Sequence, residues 1–334
     1  MKKLFKTMKE CFEKQEDMVL VTVIAGHGST PRGAGARMLL SRGGAFCGTI
    51  GGGAVEYRSQ QMAVEVLEEK RSFTKGFRLA PNQIADLGMI CGGDVVVYFQ
   101  YIHGKDAAMT ALCDKALDCL THYENAWLIT DITDETAWSM GICTEDGVVV
   151  GPELKDVKPL LCSKAVQVEL EGKRYYSEPF VNAGRVYIFG GGHVAQELVP
   201  VLAHVDFRCV VFDELPEFAS KELFPQAEAT VVGDFNNIFE TVSITAEDYI
   251  VIVTRGHKYD YQLEAQALRT DAYYIGLIGS RTKTAKHAEM LKAEEGFTDA
   301  DIARIYTPIG IPIKGETPGE IAISIAGEMI RVRA

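Results

Sequence analysis

The spacing of apolar residues along the N-terminal part of the chain changes from helical to strand-like and back. Near the start, apolar residues recur at intervals of three and four positions, which places Leu4, Phe5, Met8, Cys11 and Phe12 on one face of an amphipathic helix. Continuous or alternating apolar runs then predict strands. The predicted elements are a helix over 1–16, strands over 18–25, 36–40 and 45–50, a helix over about 54–69 and a strand over 94–102.

The rest of the N-terminal part has a weaker pattern. Residues 106–180 predict one helix followed by several short strands, and they carry no recognisable chemical motif. We find no internal repeat and no low-complexity segment in the sequence. The segment 177–184 is the expected boundary, so we expect an N-terminal domain over 1–180 and a second domain over 181–334.

The C-terminal part alternates strands with helices, which is typical of a parallel sheet covered on both faces. Its last helix has a clear predicted start, with Thr317 as N-cap, Pro318 at the first position and Glu320 at the third. The predicted fold class is α/β, with a C-terminal Rossmann-type doubly wound parallel sheet and an N-terminal α/β domain with glycine-rich loops. The predicted C-terminal strands cover 185–189, 208–212, 229–232, 249–253 and 273–278.

Composition and charge narrow the classes of partner. The 334 residues carry a formal net charge of −12, and a field of that sign repels nucleic acid and anionic lipid. We find neither a signal peptide nor an apolar run long enough to span a membrane, so we expect a cytoplasmic protein. None of the eight cysteines forms a C-x-x-C pair, and most are expected to be reduced, buried side chains.

The segment Gly190-Gly191-Gly192-His193-Val194-Ala195 fits the dinucleotide-binding pattern G-x-G-x-x-G/A. It follows a predicted strand and opens a predicted helix, so the helix amides would face a pyrophosphate and Gly192 would let the backbone approach it. Asp213 follows the next strand, where a carboxylate accepts from a ribose 2′-hydroxyl and favours NAD(H) over NADP(H). His193 is expected to be an ordinary helix-start residue. The alternative is a Rossmann fold that has lost its nucleotide or holds another one.

Cationic residues follow two of the predicted C-terminal strands. Arg255 and His257 come after one strand, and Ser280 and Arg281 come after the next. Ligands of open α/β sheets bind outside the carboxyl ends of the strands, so we expect these residues to bind an anion such as a phosphate. Three nearby lysines are expected to be solvated: Lys258, Lys283 and Lys286.

The N-terminal glycine loops contain a second group of candidates. Ser29 and Arg32, with Arg37 beyond them, offer hydroxyls and guanidinium groups that suit a phosphate or carboxylate. Cys91 lies in a glycine-flanked loop, where its thiol is either reactive, a ligand for a soft metal, or structurally inert. Glu56 follows the Gly51–Gly53 run and is expected to cap its helix.

Taken together, these motifs resemble those of the XdhC/CoxI family, accessory proteins of xanthine dehydrogenase and related molybdenum hydroxylases. The matching stretches occur in both predicted domains and in the family's order, and residues 106–180 contribute little. They are GSTPRGAGARMLL from Gly28, GTIGGGAVE from Gly48, MICGGD from Met89, VYIFGGGHVA from Val186, TRGH from Thr254, IGLIGSR from Ile275 and TPIGIPIKGETPGEIAISI from Thr307.

The resemblance implies an accessory role rather than metabolic catalysis. It implies binding of the molybdenum cofactor, help in its sulfuration, and delivery to a molybdenum hydroxylase apoenzyme, with a cysteine desulfurase as a further partner and a homodimer as the assembly. Cys91 would then correspond to the family's Cys-Gly-Gly position and contact the molybdenum. One departure is Ala54, where many members have a cysteine. Two alternatives stay open: an NAD-dependent oxidoreductase, with His257 as its best acid or base, and an NAD(H)-binding sensor without catalysis.

Overall fold

The computed structural model describes the backbone of residues 1–28, 34–79, 93–134, 136–162, 164–181, 184–255 and 258–333. Side chains are described over the same ranges except at 25–28, 78–79, 93–94 and 281. The chain divides into two compact units, Met1–Asn182 and Ala183–Ala334. No helix within these ranges is long and apolar enough to cross a lipid bilayer.

The N-terminal unit contains three α-helices and two five-stranded antiparallel sheets within the described ranges. The helices are α1 (Lys2–Glu13), α2 (Gly53–Glu69) and α3 (Ala107–His122). The first sheet contains β1 (Met18–Gly28), β2 (Arg37–Ser41), β3 (Phe46–Gly48), β4 (Phe73–Leu79) and β5 (Gly93–Ile102). The second contains β6 (Ala126–Asp131), β7 (Ser139–Thr144), β8 (Gly147–Val150), β9 (Val166–Leu170) and β10 (Lys173–Val181).

The two sheets have the same internal order, although the sequence shows no repeat. The first runs β3-β2-β1-β5-β4 and the second runs β8-β7-β6-β10-β9. A helix precedes the central strand of each sheet, α1 before β1 and α3 before β6. The pairing also matches side chains, because Thr22 faces Tyr98 in the first sheet and Thr130 faces Tyr176 in the second. The repeat lies in strand connectivity and register, which a comparison of residue types does not detect.

The helices α1 and α3 lie together over one face of both sheets. The predicted apolar face of α1 is confirmed, since all five of its residues are buried in one core with α3. On the opposite face of the first sheet, α2 packs on a second apolar cluster that includes Val21, Val97 and Phe99. Among the described residues, the second sheet has the short 3₁₀ turn Lys158–Leu160 in the corresponding place. Each sheet is therefore covered on two faces, as buried strands require.

Aromatic and charged side chains join the two sheets beyond this core. Tyr98 and Trp138 stack with ring centroids 3.7 Å apart, and the Tyr98 hydroxyl accepts from the Trp138 backbone N–H at 3.1 Å. The Arg37 guanidinium pairs with the Glu178 carboxylate and donates to the Gly35 carbonyl at 3.0 Å. Only 3% of the Arg37 side chain and 13% of the Glu178 side chain are exposed. This ion pair is thus internal to the unit.

The C-terminal unit contains one parallel sheet of six strands in the order β13-β12-β11-β14-β15-β16. This is the 3-2-1-4-5-6 order of dinucleotide-binding Rossmann domains, so the predicted fold class is confirmed. The sequence did not predict β16, which has two residues, or β4 in the N-terminal unit. The strands are β11 (Arg185–Phe189), β12 (Arg208–Asp213), β13 (Ala229–Val232), β14 (Tyr249–Ile252), β15 (Tyr274–Leu277) and β16 (Ile305–Tyr306).

Helices cover both faces of this sheet. One face packs against α4 and α8, and the other packs against α5 and α6 together with Phe235 and Ile238. The capping predicted for α8 is also found, because the Glu320 amide donates to the Thr317 hydroxyl at 3.3 Å. The helices are α4 (His193–His204), α5 (Asp260–Leu268), α6 (Arg281–Glu295), α7 (Asp299–Ile302) and α8 (Pro318–Arg333).

We expect Glu178→Ala to lower the free energy of unfolding by about 3–5 kcal/mol, because it leaves the Arg37 charge buried without its carboxylate. Urea unfolding followed by circular dichroism measures this. The control is Glu169→Ala, which removes an exposed carboxylate from the neighbouring strand. The double variant Arg37→Leu/Glu178→Leu should lose less unfolding free energy than the sum of the losses for Arg37→Leu alone and Glu178→Leu alone, because neither charge is then left unpaired. Equal losses for Glu178→Ala and Glu169→Ala would contradict an energetic role of the pair.

Candidate functional site

The glycine motif forms the turn between β11 and α4, at the position where the strand order of the sheet reverses. Gly190 has φ of +110°, and a Cβ there would lie 2.6 Å from the Val253 carbonyl oxygen. Its amide donates to the Phe212 carbonyl at 2.8 Å. Gly192 is the N-cap of α4. Because β12 and β14 flank β11 on opposite sides, the turn lies in the crevice where open α/β sheets bind ligands.

Asp213, the last residue of β12, lies next to this turn with 1% of its surface exposed. One carboxylate oxygen accepts from the Gly191 amide at 2.8 Å. The other accepts from the Leu215 amide and from the Arg255 guanidinium, each at 3.1 Å. Both oxygens are therefore already engaged within the protein. The predicted ribose contact of Asp213 stays a prediction, and it requires Arg255 to move.

Arg255 crosses the motif from the β14 side. Its guanidinium carbon lies 3.5 Å from the centre of the Phe218 ring, a cation–π contact. A Cβ on Gly192 would lie 3.2 Å from Arg255 Cγ, and a Cβ on Gly191 would overlap the Phe218 carbonyl oxygen. The absence of side chains at Gly191 and Gly192 thus accommodates parts of the protein itself.

A dinucleotide fits this turn in some respects and not in others. The positive φ of Gly190, the exposed start of α4 at His193 and the carboxylate of Asp213 match what a pyrophosphate and a ribose require. The Arg255 guanidinium, however, already donates to the Asp213 carboxylate at this turn. The residues therefore fit a nucleotide provided that Arg255 can leave Asp213.

The other candidates of the C-terminal unit fall at the predicted strand ends. Ser280 is the N-cap of α6, and its hydroxyl accepts from the Lys283 amide at 3.3 Å. Arg281 begins α6, but its side chain lies outside the described residues, as does His257. The expectation of a solvated Lys283 is wrong, because its amine pairs with the fully buried Asp260. The physical reason is that α6 packs against α5, which begins at Asp260.

Sequence reasoning missed a set of ionic contacts between α5 and α6. Asp260 also accepts from the Thr254 hydroxyl, and His287 Nδ1 lies 2.5 Å from the buried Glu264 carboxylate. Burial raises the pKa of Glu264. Each helix places its two groups four residues apart, so they lie on one face. That spacing was visible in the sequence, but the pairing of the two helices was not.

The glycine loop of the N-terminal unit is organised by Glu56. Its carboxylate accepts from the Ile50 amide at 2.9 Å, from the Gly52 amide at 3.0 Å and from the Thr49 hydroxyl. Burial opposes ionisation of this carboxyl, but the hydrogen bonds outweigh it and lower the pKa of Glu56. The expected structural role of Glu56 at the start of α2 is confirmed.

Arg37, which the sequence suggested as an anion ligand, is instead held by Glu178 and by the Gly35 carbonyl. Its charge is already neutralised inside the unit, so the suggestion of a free ligand is wrong. The other N-terminal candidates, Ser29, Arg32 and Cys91, lie outside the described residues. Among the residues that are described, no group of three or more His, Cys, Asp or Glu side chains is arranged to hold a metal ion.

The described cysteines are poorly suited to nucleophilic chemistry. Six of them are buried, and Cys162 is partly buried, which confirms the expectation that most are core residues. Burial raises the pKa of Cys113 and Cys209 to about 12 and that of Cys119 and Cys143 to about 11. Burial also raises the pKa of Cys11 and Cys162. These six thiols therefore stay protonated near neutral pH.

We expect Glu56→Gln to destabilise the protein by about 1–2 kcal/mol at pH 7, because the glutamine cannot supply the charge that strengthens these hydrogen bonds. The folded protein lowers the pKa of Glu56 from 4.5. Its stabilisation is therefore complete above pH 4.5 and is lost as the pH falls through the folded pKa. Urea unfolding at pH 7 and pH 3.5 should show a difference between wild type and variant that shrinks at the lower pH.

The matched control is Glu65→Gln, which changes an exposed glutamate of the same helix. It should alter stability little at either pH. A Glu56→Gln effect of equal size at both pH values would contradict a role of the ionised carboxylate.

Comparisons with known proteins agree with this architecture. Residues 186–329 match the model of the XdhC Rossmann domain, and residues 11–77 match that of the XdhC and CoxI family. The chain is 24% identical to a probable xanthine dehydrogenase subunit from Bacillus subtilis, over 98% of this chain and 97% of the relative. It is 22% identical to the molybdenum cofactor insertion chaperone PaoD of Escherichia coli, over 94% of this chain and 83% of the relative.

A solved structure shows the same fold. The crystal structure of a protein described as a xanthine dehydrogenase from Bacillus halodurans has a TM-score of 0.76 and 23% identity. The likeness covers 98% of this chain and 95% of that one. The two family models match parts of both units, and they confirm the resemblance to the XdhC and CoxI family that the sequence motifs indicated.

Proposed function

We propose that the protein is an accessory factor that binds the molybdenum cofactor and assists its insertion into a xanthine dehydrogenase-type molybdenum hydroxylase. The observation that carries the proposal is the match of both units to the XdhC and CoxI family. Two relatives support it by name, one as a probable component of xanthine dehydrogenase and one as an insertion chaperone for this cofactor. Their identities of 24% and 22% extend over almost the whole chain, so the similarity is not confined to the Rossmann fold.

The chemistry of the C-terminal crevice suits such a cargo. The molybdenum cofactor is an anionic pterin that carries a phosphate and a dithiolene-bound metal. The start of α4 and the Arg255 guanidinium lie together at the carboxyl end of β11, and both favour a phosphate. In a chain of net charge −12, this local arrangement directs an anion to one place. His257, Ser280 and Arg281 extend the proposed anion site along the same strand ends.

The N-terminal unit would contribute the sulfur chemistry. Cys91 is the thiol that we propose for contact with molybdenum, because it stands in a glycine-flanked segment that resembles the family's Cys-Gly-Gly position, with Ser29 and Arg32 as ligands of the cargo. Help in sulfuration, a cysteine desulfurase partner and a homodimeric assembly belong to the same proposal. They rest on the family resemblance.

NAD(H) binding at the glycine motif is part of the proposal, and the Rossmann strand order supports it. The oxidoreductase alternative has the nucleotide motif in its favour, and its best acid or base, His257, lies outside the described residues. An NAD(H) sensor predicts nucleotide affinity without affinity for the molybdenum cofactor. Turnover of NADH with small alcohols, aldehydes or pterins would favour the oxidoreductase.

The deciding measurement is binding of anaerobically prepared molybdenum cofactor to the purified protein, with NADH and NADPH titrated in parallel. We expect binding of the molybdenum cofactor and activation of a xanthine dehydrogenase-type apoenzyme. Cys91→Ala should lower both by about tenfold or more, because the metal loses a thiolate ligand. Folding of the variant is checked by circular dichroism.

Cys162→Ala is the matched control, since it removes a partly buried thiol whose pKa is raised by burial. It should leave cofactor binding unchanged. Nucleotide binding without cofactor binding would contradict the accessory role and favour the sensor. Equal cofactor binding by Cys91→Ala and wild type would show that the thiol does not contact the cargo.

A further inference from the structure

We propose that Arg255 determines the ligand specificity of the glycine-motif crevice by an exchange of partners. In the free protein its guanidinium pairs with Asp213. When a ligand binds, the guanidinium moves to a phosphate of that ligand, and Asp213 accepts from two ribose hydroxyls. The crevice then selects a ribonucleoside diphosphate, alone or within a dinucleotide, that has both ribose hydroxyls free. This inference rests on the proposed nucleotide binding and adds the residue that controls it.

The position of the Arg255–Asp213 ion pair supports this exchange. Asp213 ends β12 and Arg255 follows β14, the two strands that flank β11 on opposite sides. The contact of 3.1 Å between them therefore passes over the carboxyl end of β11. Ligands of open α/β sheets enter at this end, where the strand order reverses. The ion pair consequently closes the entrance that a nucleotide would use.

The unequal burial of Asp213 and Arg255 also supports the exchange. The Asp213 side chain is 1% exposed, whereas the Arg255 side chain is 39% exposed. Solvent and solutes can therefore reach the arginine but not the carboxylate. Without Arg255 the buried carboxylate keeps the Gly191 and Leu215 amides but loses its cationic partner, so a ligand that displaces Arg255 has to replace that hydrogen bond.

Asp213 and Arg255 together define which chemical groups the ligand must supply. A ribose supplies two hydroxyl donors to Asp213, and a phosphate at the start of α4 supplies an anion to Arg255. Inorganic pyrophosphate would leave Asp213 with the Gly191 and Leu215 amides but with no replacement for Arg255, and a nucleoside would leave Arg255 without an anion. A 2′-phosphate would bring a second negative charge against Asp213. A ligand with both groups satisfies both side chains, whereas a ligand that brings a phosphate alone, such as the pterin phosphate of the proposed cargo, satisfies Arg255 only.

The contacts of Arg255 with the motif explain why the exchange needs an arginine. Its aliphatic part passes over Gly192 and its planar guanidinium stacks on Phe218. The stacked guanidinium can turn from a carboxylate to a phosphate without leaving the ring, because it has several donors in one plane. Lysine offers a point charge and no such plane.

The test is isothermal titration of the full chain with ADP, adenosine, 2′-deoxy-ADP and inorganic pyrophosphate, for wild type, Arg255→Ala and Arg269→Ala. Arg269 is the matched control, because it also pairs with one carboxylate, Glu295, and lies over one ring, Phe297. Wild type should bind ADP more tightly than the other three probes. In Arg255→Ala the preference for ADP over adenosine should fall about 10- to 100-fold, the range for loss of a charge-assisted hydrogen bond.

A preference for ADP that is the same in Arg255→Ala as in Arg269→Ala would overturn the inference. Amide hydrogen exchange in the ligand-free proteins separates this failure from that of the proposed function. Exchange over residues 214–219 should be faster in Arg255→Ala than in wild type, because Phe218 loses its stacked partner. Unchanged exchange overturns the role of the ion pair. Failure of wild type to bind ADP overturns nucleotide binding and the ligand class together.

Discussion

The carboxylate of Asp213 lies almost fully buried at the point where the strand order of the parallel sheet reverses. It receives the Gly191 amide from the turn after β11, the Leu215 amide from its own loop and the Arg255 guanidinium from the loop after β14. One buried charge thus joins three neighbouring strand ends and sets the shape of the glycine turn. The glycines are needed because Phe218 and Arg255 approach the backbone closely. The geometry of the crevice therefore depends on the hydrogen bonds and the ion pair that hold the buried Asp213 carboxylate.

The N-terminal unit meets the same constraint with Arg37 and Glu178, which come from different sheets. This unit also consists of two halves, one around each of the two sheets of equal strand order, and the halves differ in role. The glycine-rich segment between β1 and β2 and the segment around Cys91 belong to the first half. In the second half, the hairpin at Glu171–Gly172 connects the pair of strands that corresponds to β4 and β5. The second half therefore serves to cover the core and to hold the first half through Tyr176, Glu178 and Trp138.

The C-terminal crevice supports the proposal of a protein that carries an anionic cofactor. The C-terminal crevice presents an arginine and amide donors, which bind an anion without changing it. Among the described residues, the cysteines with raised pKa values are suited to packing rather than catalysis. In the proposed exchange, Arg255 returns to the Asp213 carboxylate when the ligand leaves, which would help a carrier to release its cargo.

Local sequence patterns predicted the Rossmann strand–turn–helix unit, the covered face of α1 and the cap of α8, because each depends on residues close together in the chain. They also indicated Glu56 as a residue that organises its helix start. The contacts of Arg37, Lys283 and Asp213, in contrast, could not be predicted from these patterns. Their partners lie far away in sequence and are brought near by sheet order and helix packing, which local patterns do not encode. The same reason explains why the equal topology of the two N-terminal sheets was invisible, since it depends on strand pairing rather than residue identity.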